Sequence, residues 1–378
     1  MHKFRLGPTI YTGSSVLEKV LKNTKKAFIV TDKFMFESGK VSYVTDFLNK
    51  INADYEIFSD VSPDPDMDSV ASGIKQLAYS DADTVIAFGG GSAIDAAKAI
   101  FYIFGNMVKK RAKFVIIPTT SGTGSEVSRY SVITDKQLNI KLPLSDDSMM
   151  PDFAVLDATL VESVPPSVTA DTGVDALTHA IEAFLSKGAS DFSDAMAEKA
   201  MKLIFKYLPI AYSEPHNMEA RQAVHNAAAM AGVAFNNAGV GANNALAHAI
   251  GAKLHVPHGR ANAILLPYVM SFTAGCRTTL TPAAERYAQM AAVLDLDSNG
   301  MRQSAFAAIR AVKNLNKKLN IPASFREAGI DQKLFESQLD ALVEAAVAEE
   351  CMLTAPVSFT PEEVRAIFKA AYNGRMVI

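Results

Sequence analysis

Asp175 and His179 stand four residues apart in Gly173-Val174-Asp175-Ala176-Leu177-Thr178-His179-Ala180-Ile181-Glu182-Ala183-Phe184, where apolar residues recur at helical spacing. On a helix that spacing stacks both side chains on one face. A carboxylate and an imidazole so placed can hold a divalent metal, or can simply share a structural hydrogen bond. A second stretch downstream carries His248, His255 and His258, so four of the seven histidines lie in these two segments. That concentration favours metal or acid–base chemistry over an isolated structural pair.

A second kind of chemistry is written in two glycine-rich loops. Gly89-Gly90-Gly91-Ser92-Ala93-Ile94-Asp95 follows an apolar run at 84–88 and opens a helical pattern. Glycines there let backbone approach a ligand closely, Ser92 is placed to cap the helix, and free helix N–H groups attract phosphate. Pro118-Thr119-Thr120-Ser121-Gly122-Thr123-Gly124-Ser125-Glu126 follows the next apolar run. Paired loops at the C-terminal ends of neighbouring strands predict a dinucleotide or sugar-phosphate site. Asp32 closes the run at 26–31. It can accept hydrogen bonds from an adenosine ribose and repel a 2′-phosphate, favouring NAD over NADP, or it can serve as a plain helix cap.

The elements that must position these residues fall into two groups. Strands are expected at 26–31, 84–88, 113–117 and 154–156, with helices at 41–51, 67–79 and 93–104; such alternation predicts a parallel sheet flanked by helices. Beyond Pro165-Pro166 no strand pattern remains. Alanine-rich amphipathic segments cover 167–185, 191–207, 217–236, 242–252, 259–275, 282–293, 301–319, 331–348 and 361–372. The expected organisation is a dinucleotide-binding α/β domain at 1–162 and an all-helical metal and substrate domain at 163–378.

Composition bounds the function. The 378-residue chain is 49% hydrophobic and 20% charged, as globular proteins are. Its formal charge of −3 argues against a nucleic-acid partner. The apolar runs are too short to span a membrane. Cys276 and Cys351 lack metal or redox spacing, and residues 1–10 lack a signal-peptide pattern, so a reducing, cytoplasmic setting is expected.

The runs GGGSAIDAAK at 89–98, PTTSGTGSE at 118–126, DTGVDALTHAIEAF at 171–184 and HVPHG at 255–259 together resemble the iron-containing (group III) alcohol dehydrogenases. The resemblance covers essentially the whole chain. It is strongest to the branch of 1-propanol dehydrogenases associated with bacterial microcompartments, through 189–195 and Lys141-Leu142-Pro143-Leu144. It implies the dehydroquinate synthase-like fold, NAD(H), one divalent metal (Fe²⁺ first, with Zn²⁺ or Mn²⁺ as alternatives) and a short alcohol or aldehyde substrate. It also implies a homodimer or larger assembly, with other microcompartment enzymes as partners.

By position, the resemblance puts Asp32 at the adenosine ribose. Gly89, Gly90, Gly91, Ser92 and Asp95 fall at the pyrophosphate loop, Thr119 and Thr120 along the adenine, and Lys141 at the cofactor ribose. It makes Asp175, His179 and His258 metal ligands. It sets His248, the candidate proton relay, near substrate and nicotinamide, with His255 in the same loop. One position departs from the pattern: Asn244 stands where the family has its fourth ligand, a histidine. Three arrangements follow. The Asn244 oxygen ligates weakly, or three protein ligands suffice, or His248 turns in from one helical turn away. Related outcomes are a glycerol- or 4-hydroxybutyrate-type dehydrogenase, the latter if Arg260 faces the substrate, and a metal-impaired, NAD-binding paralogue with an assembly role.

Overall fold

The structure is a computed structural model that describes residues 3–108, 111–136, 140–276, 279–296 and 298–375. The chain forms two compact units, Leu6–Ser163 and Val164–Ile378, the latter joined by Met1–Arg5. No helix among the described residues is long and apolar enough to cross a membrane.

The first unit runs β1 (Thr9–Thr12), α1 (Leu17–Leu21), β2 (Lys26–Asp32), α2 (Lys33–Glu37), α3 (Ser42–Lys50), β3 (Asp54–Val61), α4 (Met67–Ser80), β4 (Thr84–Gly89) and α5 (Gly91–Val108). It continues with β5 (Lys113–Pro118), β6 (Tyr130–Asp135), β7 (Ile140–Ser145) and β8 (Phe153–Leu156). Six strands make one parallel sheet in the order β1-β8-β5-β4-β2-β3, and β6 pairs with β7 as an antiparallel ribbon. The inner strands read as unbroken apolar runs because both their faces are covered. Phe28, Val30, Val85 and Phe114 pack under α4 and α5, while Ala27, Ile29, Ile86 and Val115 pack under α1 and α3.

Four strands escape the sequence reading for the converse reason. β1 is a largely exposed edge, β3 at the other edge is mostly partly buried with only Phe58 and Val61 buried, and β6 and β7 lie outside the main sheet. From β2 the chain moves outward to β3, and from β4 it moves the other way through β5 to β8. The order therefore reverses between β2 and β4, where a doubly wound sheet opens a ligand crevice. Asp32 and Gly89 end those two strands.

A buried cluster ties α5 to the second glycine-rich loop and the ribbon. Lys98 Nζ donates to the carbonyls of Ser128 (2.6 Å) and Tyr130 (2.8 Å). The Asp95 carboxylate accepts from Ser125 Oγ and the Val132 N–H, each at 3.1 Å. Burial pushes the carboxyls of Asp95 and Glu126 up to about 6 and about 7, and the Lys98 ammonium down to about 8.

The second unit contains only helices and short helical turns among its described residues. These are α6 (Pro166–Leu185), α7 (Asp191–Ser213), α8 (Met218–Ala238), α9 (Ala242–Leu254), α10 (His258–Ala274), α11 (Ala284–Val293), α12 (Met301–Lys318), α13 (Gln332–Ala348) and α14 (Pro361–Asn373). α6 is buried along nearly its whole second half and forms the axis of this core. The first residues of the chain belong here: Phe4 stacks on Phe192 at 5.4 Å between ring centroids, and Asn237 bonds both backbone groups of Arg5.

Glu126 supplies a test. The folded chain keeps a proton on this group between 4.5 and about 7, a range in which the unfolded chain has released it. Stability from this group therefore falls as pH rises through that window. Denaturant titrations across it should show Glu126→Gln gaining on the wild type by about 3 kcal/mol. A difference that does not change with pH would refute the assignment.

Candidate active site

In the helical unit, Asp175 and His179 lie one turn apart on α6, at 2% and 6% exposure. The helix starts cleanly because Pro166 sits at its first position, where its missing N–H is no loss. α10 has a proline, Pro257, as its N-cap and begins with His258 itself. Gly259 permits the approach: a Cβ there would stand 2.6 Å from the Asp171 carbonyl oxygen. One donor atom each from Asp175, His179 and His258 falls within a 4.8 Å group.

α9 is placed by a carboxylate from α6. Its own N-cap, Gly241, has no side chain to cap with, and Glu182 accepts the backbone N–H groups of Gly241 (2.9 Å), Asn243 (2.6 Å) and Asn244 (3.2 Å) instead. The Asn244 side-chain nitrogen adds a fourth bond to Glu182 at 2.7 Å. Burial still raises the Glu182 pKa, and these four donors oppose the rise.

Asn262, one turn into α10, links the groups. Its side-chain nitrogen lies 2.7 Å from Asp175 Oδ1, 3.2 Å from Asn244 Oδ1 and 3.0 Å from His258 Nε2. An amide nitrogen only donates, so His258 Nε2 must be an acceptor. Two hydrogens cannot serve three acceptors at once. His258 Nε2 also lies 3.6 Å from the Asp175 oxygen, and His179 Nε2 lies 3.8 Å from it. The Nδ1 of His179 is buried without a hydrogen-bond partner among the described residues. Lone pairs thus converge with too few hydrogens, a donor set that fits a divalent cation.

The other expected residues of this unit are placed differently. Asn244 is 2% exposed, and its amide bonds Glu182 through nitrogen and Asn262 through oxygen. His248 is partly exposed; its ring stacks on that of His258 at 5.0 Å, and its Nδ1 lies 2.6 Å from Glu349 Oε1. That bond holds the Glu349 carboxyl below its ordinary pKa. His255 does not join the group: it ends α9 in the left-handed conformation (φ 55°), exposed, so its position there is a backbone device. Arg260 does not stand free for a substrate carboxylate, because its Nε donates to Asp171 at 2.5 Å.

Sequence reasoning missed Glu349, Cys351, Glu182 and Asn262. No local spacing marks the first two, which follow α13 and reach His248 only through the tertiary fold. Glu182 and Asn262 each lie one turn or less beyond a recognised ligand position, so the 3.6-residue period could have found them.

In the α/β unit, the glycines make a close-packed corner. A Cβ on Gly89 would fall 2.7 Å from that of Ala93, on Gly90 3.3 Å from Thr120 Cγ2, and on Gly91 2.7 Å from Thr123 Cγ2. α5 begins at Gly91, so Ser92 lies inside its first turn rather than before it. The hydroxyls of Thr31, on β2, and Thr119, directly after β5, are buried without partners among the described residues. A bare glycine corner, a helix N-terminus and unmet hydroxyls fit a dinucleotide phosphate. Asp32 caps α2 through the Met35 N–H (2.9 Å) and turns its other oxygen toward Gly89. Asp95 does not reach outward; its carboxylate holds Ser125 and Val132. Lys141 bonds Asp64 at 2.6 Å.

The comparisons agree across both units. Residues 8–158 match the family described as iron-containing alcohol dehydrogenase, and residues 169–372 match the C-terminal region of the Fe-containing alcohol dehydrogenase family. The chain is 43% identical to 1-propanol dehydrogenase PduQ of Citrobacter freundii, over 94% of this chain and 96% of that protein. It is 38% identical to an NADPH-dependent butanol dehydrogenase of Clostridium saccharobutylicum, over the full length of both. Among solved structures, the sulfoacetaldehyde reductase of Bifidobacterium kashiwanohense in complex with NAD⁺ superposes with a TM-score of 0.85 at 27% identity, covering 98% of each chain. The chain belongs to the iron-containing alcohol dehydrogenase family, whose members are oxidoreductases.

Gly259→Ala tests the approach of α10 to α6. The added methyl meets backbone, so it should lower stability by about 1–3 kcal/mol and reduce the divalent metal retained after dialysis. Gly105→Ala, whose added methyl meets nothing within 4 Å, should do neither. Equal metal retention in both variants would show that the close approach does not shape the donor group.

Proposed function

We propose that the protein is an NAD(H)-dependent dehydrogenase interconverting short primary alcohols and aldehydes such as 1-propanol and propanal. In this reading the α/β unit, Leu6–Ser163, binds the dinucleotide, and the helical unit holds one divalent metal, Fe²⁺ before Zn²⁺ or Mn²⁺, on Asp175, His179 and His258. The observation that carries it is the hydrogen-poor convergence of those three donors within 4.8 Å. When bound, the metal supplies a Lewis acid for the substrate oxygen, and NAD(H) supplies or accepts the hydride.

The chain's own groups do the rest. Glu349 holds one ring nitrogen of His248, which leaves the other to take or give the proton of the substrate hydroxyl. Asn262 and Glu182 orient the donors and α9. Gly89, Gly90, Gly91 and the start of α5 receive the pyrophosphate, with Thr119 and Thr120 alongside. The second oxygen of Asp32, not used by the α2 cap, would accept a ribose hydroxyl and oppose a 2′-phosphate. Asn244 orients α9 and the ligands through its amide bonds to Glu182 and Asn262, and its oxygen keeps a lone pair for the metal or a bridging water. The Arg260–Asp171 pair favours uncharged aldehydes over a hydroxy acid. A homodimer and association with microcompartment enzymes extend the same reading and rest on the sequence resemblance.

The test uses protein purified without oxygen and stripped with a chelator, assayed for NADH oxidation with propanal. Activity should return with one of Fe²⁺, Zn²⁺ or Mn²⁺, and should not return in Asp175→Ala. His248→Ala should lower kcat by roughly 10²-fold or more with NADH affinity kept. The kcat/KM for propanal should exceed that for succinic semialdehyde. If only Asn244→His is active, the natural chain is metal-impaired and its role is binding or assembly.

A further inference from the structure

We propose that His248, Glu349 and Cys351 form a second cation site beside the first, one suited to a thiophilic divalent ion such as Zn²⁺ or Cd²⁺. One donor atom of each lies within a 4.8 Å group. The set joins an imidazole, a carboxylate and a thiol, and the thiol separates it chemically from the Asp175 group. Thiolate with imidazole selects zinc-like ions over harder ones.

The spacing is already near what coordination needs. Tetrahedral zinc, with bonds of roughly 2.0–2.3 Å, holds its ligand atoms roughly 3.3–3.8 Å apart. Cys351 Sγ stands 3.8 Å from Glu349 Oε1. His248 Nδ1 stands 2.6 Å from the same oxygen and must open by about 1 Å when the hydrogen between them leaves. The two downstream donors are held in place. Glu349 ends α13, Cys351 lies in the helical turn Glu350–Thr354, and Thr354 closes that turn by bonding the Val240 carbonyl. All three residues are partly exposed, which gives an ion access from solvent.

The proton balance is simple. The Cys351 thiol, raised by burial and by the carboxylates of Glu349 and Glu182, keeps its proton until an ion displaces it to solvent. Neutral His248 moves its hydrogen from Nδ1 to Nε2, and Glu349 enters as the carboxylate. One proton is released for each ion bound. The site stands on its own donors. Its consequence rests on the role given to His248 above: with Nε2 protonated and Nδ1 bound, that ring can no longer relay a proton.

The experiment titrates Cd²⁺ into the full chain whose first site has been filled with Fe²⁺ without oxygen. The thiolate-to-cadmium charge-transfer band is followed in the ultraviolet, and bound metal is counted by dialysis. One further equivalent per chain, with a band lost in Cys351→Ser, kept in Cys276→Ser and shifted at least about tenfold to weaker binding in Glu349→Gln, supports the site. Absence of the band in the wild type, or its persistence in Cys351→Ser, overturns it. Asp175→Ala separates the two readings: it should lose the iron and keep the band. A wild type that shows the band yet holds no iron retains this site and refutes the first.

Discussion

The helical unit depends on one buried carboxylate. Glu182 is nearly inaccessible to solvent and closes the open end of α9 with oxygens borrowed from α6. An unpaired carboxylate away from water is strongly disfavoured, so a group of this kind persists only where donors surround it. Four do so here. The result is a rigid join between the helix that carries Asp175 and His179 and the helix that carries Asn244 and His248. No salt bridge could do this as well, because backbone N–H groups cannot swing away. A helix N-terminus also offers its partial positive charge to the same carboxylate.

Around that join the chemistry is set by a shortage of hydrogens. Asn262 offers two to three acceptors, and the nearest imidazoles present nitrogens to Asp175 rather than partners to each other. Neutral amides at positions 243, 244 and 262 keep the surroundings polar without adding charge. Of the three donors grouped here, the Asp175 carboxylate balances the charge of a cation and the two imidazoles supply neutral lone pairs. Asn244 fits this frame, because its amide bonds Glu182 and Asn262 together.

Much of this was legible beforehand. The buried strands at β2, β4 and β5 announced themselves because both faces are covered, and the Asp175–His179 pair followed from helical spacing alone. The all-helical character of the second unit was equally plain from its alanine-rich periodicity. The edge strands β1 and β3 and the β6–β7 ribbon were not legible, because half-exposed strands lose the continuous apolar signal. His255 was misread for a related reason: the sequence shows a histidine among histidines, but not that its backbone turns left-handed and carries it outward. Asp32 kept both meanings open, and one of its oxygens now serves the cap. Glu349 and Cys351 could not be tied to His248 at all, since their meeting is made by the return of the chain after α13.

The boundary between the two units has a consequence for recombination. The two family matches begin and end at residues 8–158 and 169–372, which invites cutting the chain between them and exchanging halves among relatives. Yet Phe4 stacks on Phe192, and Asn237 clasps the backbone of Arg5 from α8. The opening residues are thus an outlying piece of the second half. A chimera spliced only near residue 164 would inherit that piece from the wrong parent and strand an aromatic face on α7. A faithful module swap in this protein needs two crossovers, one beside residue 5 and one beside residue 164.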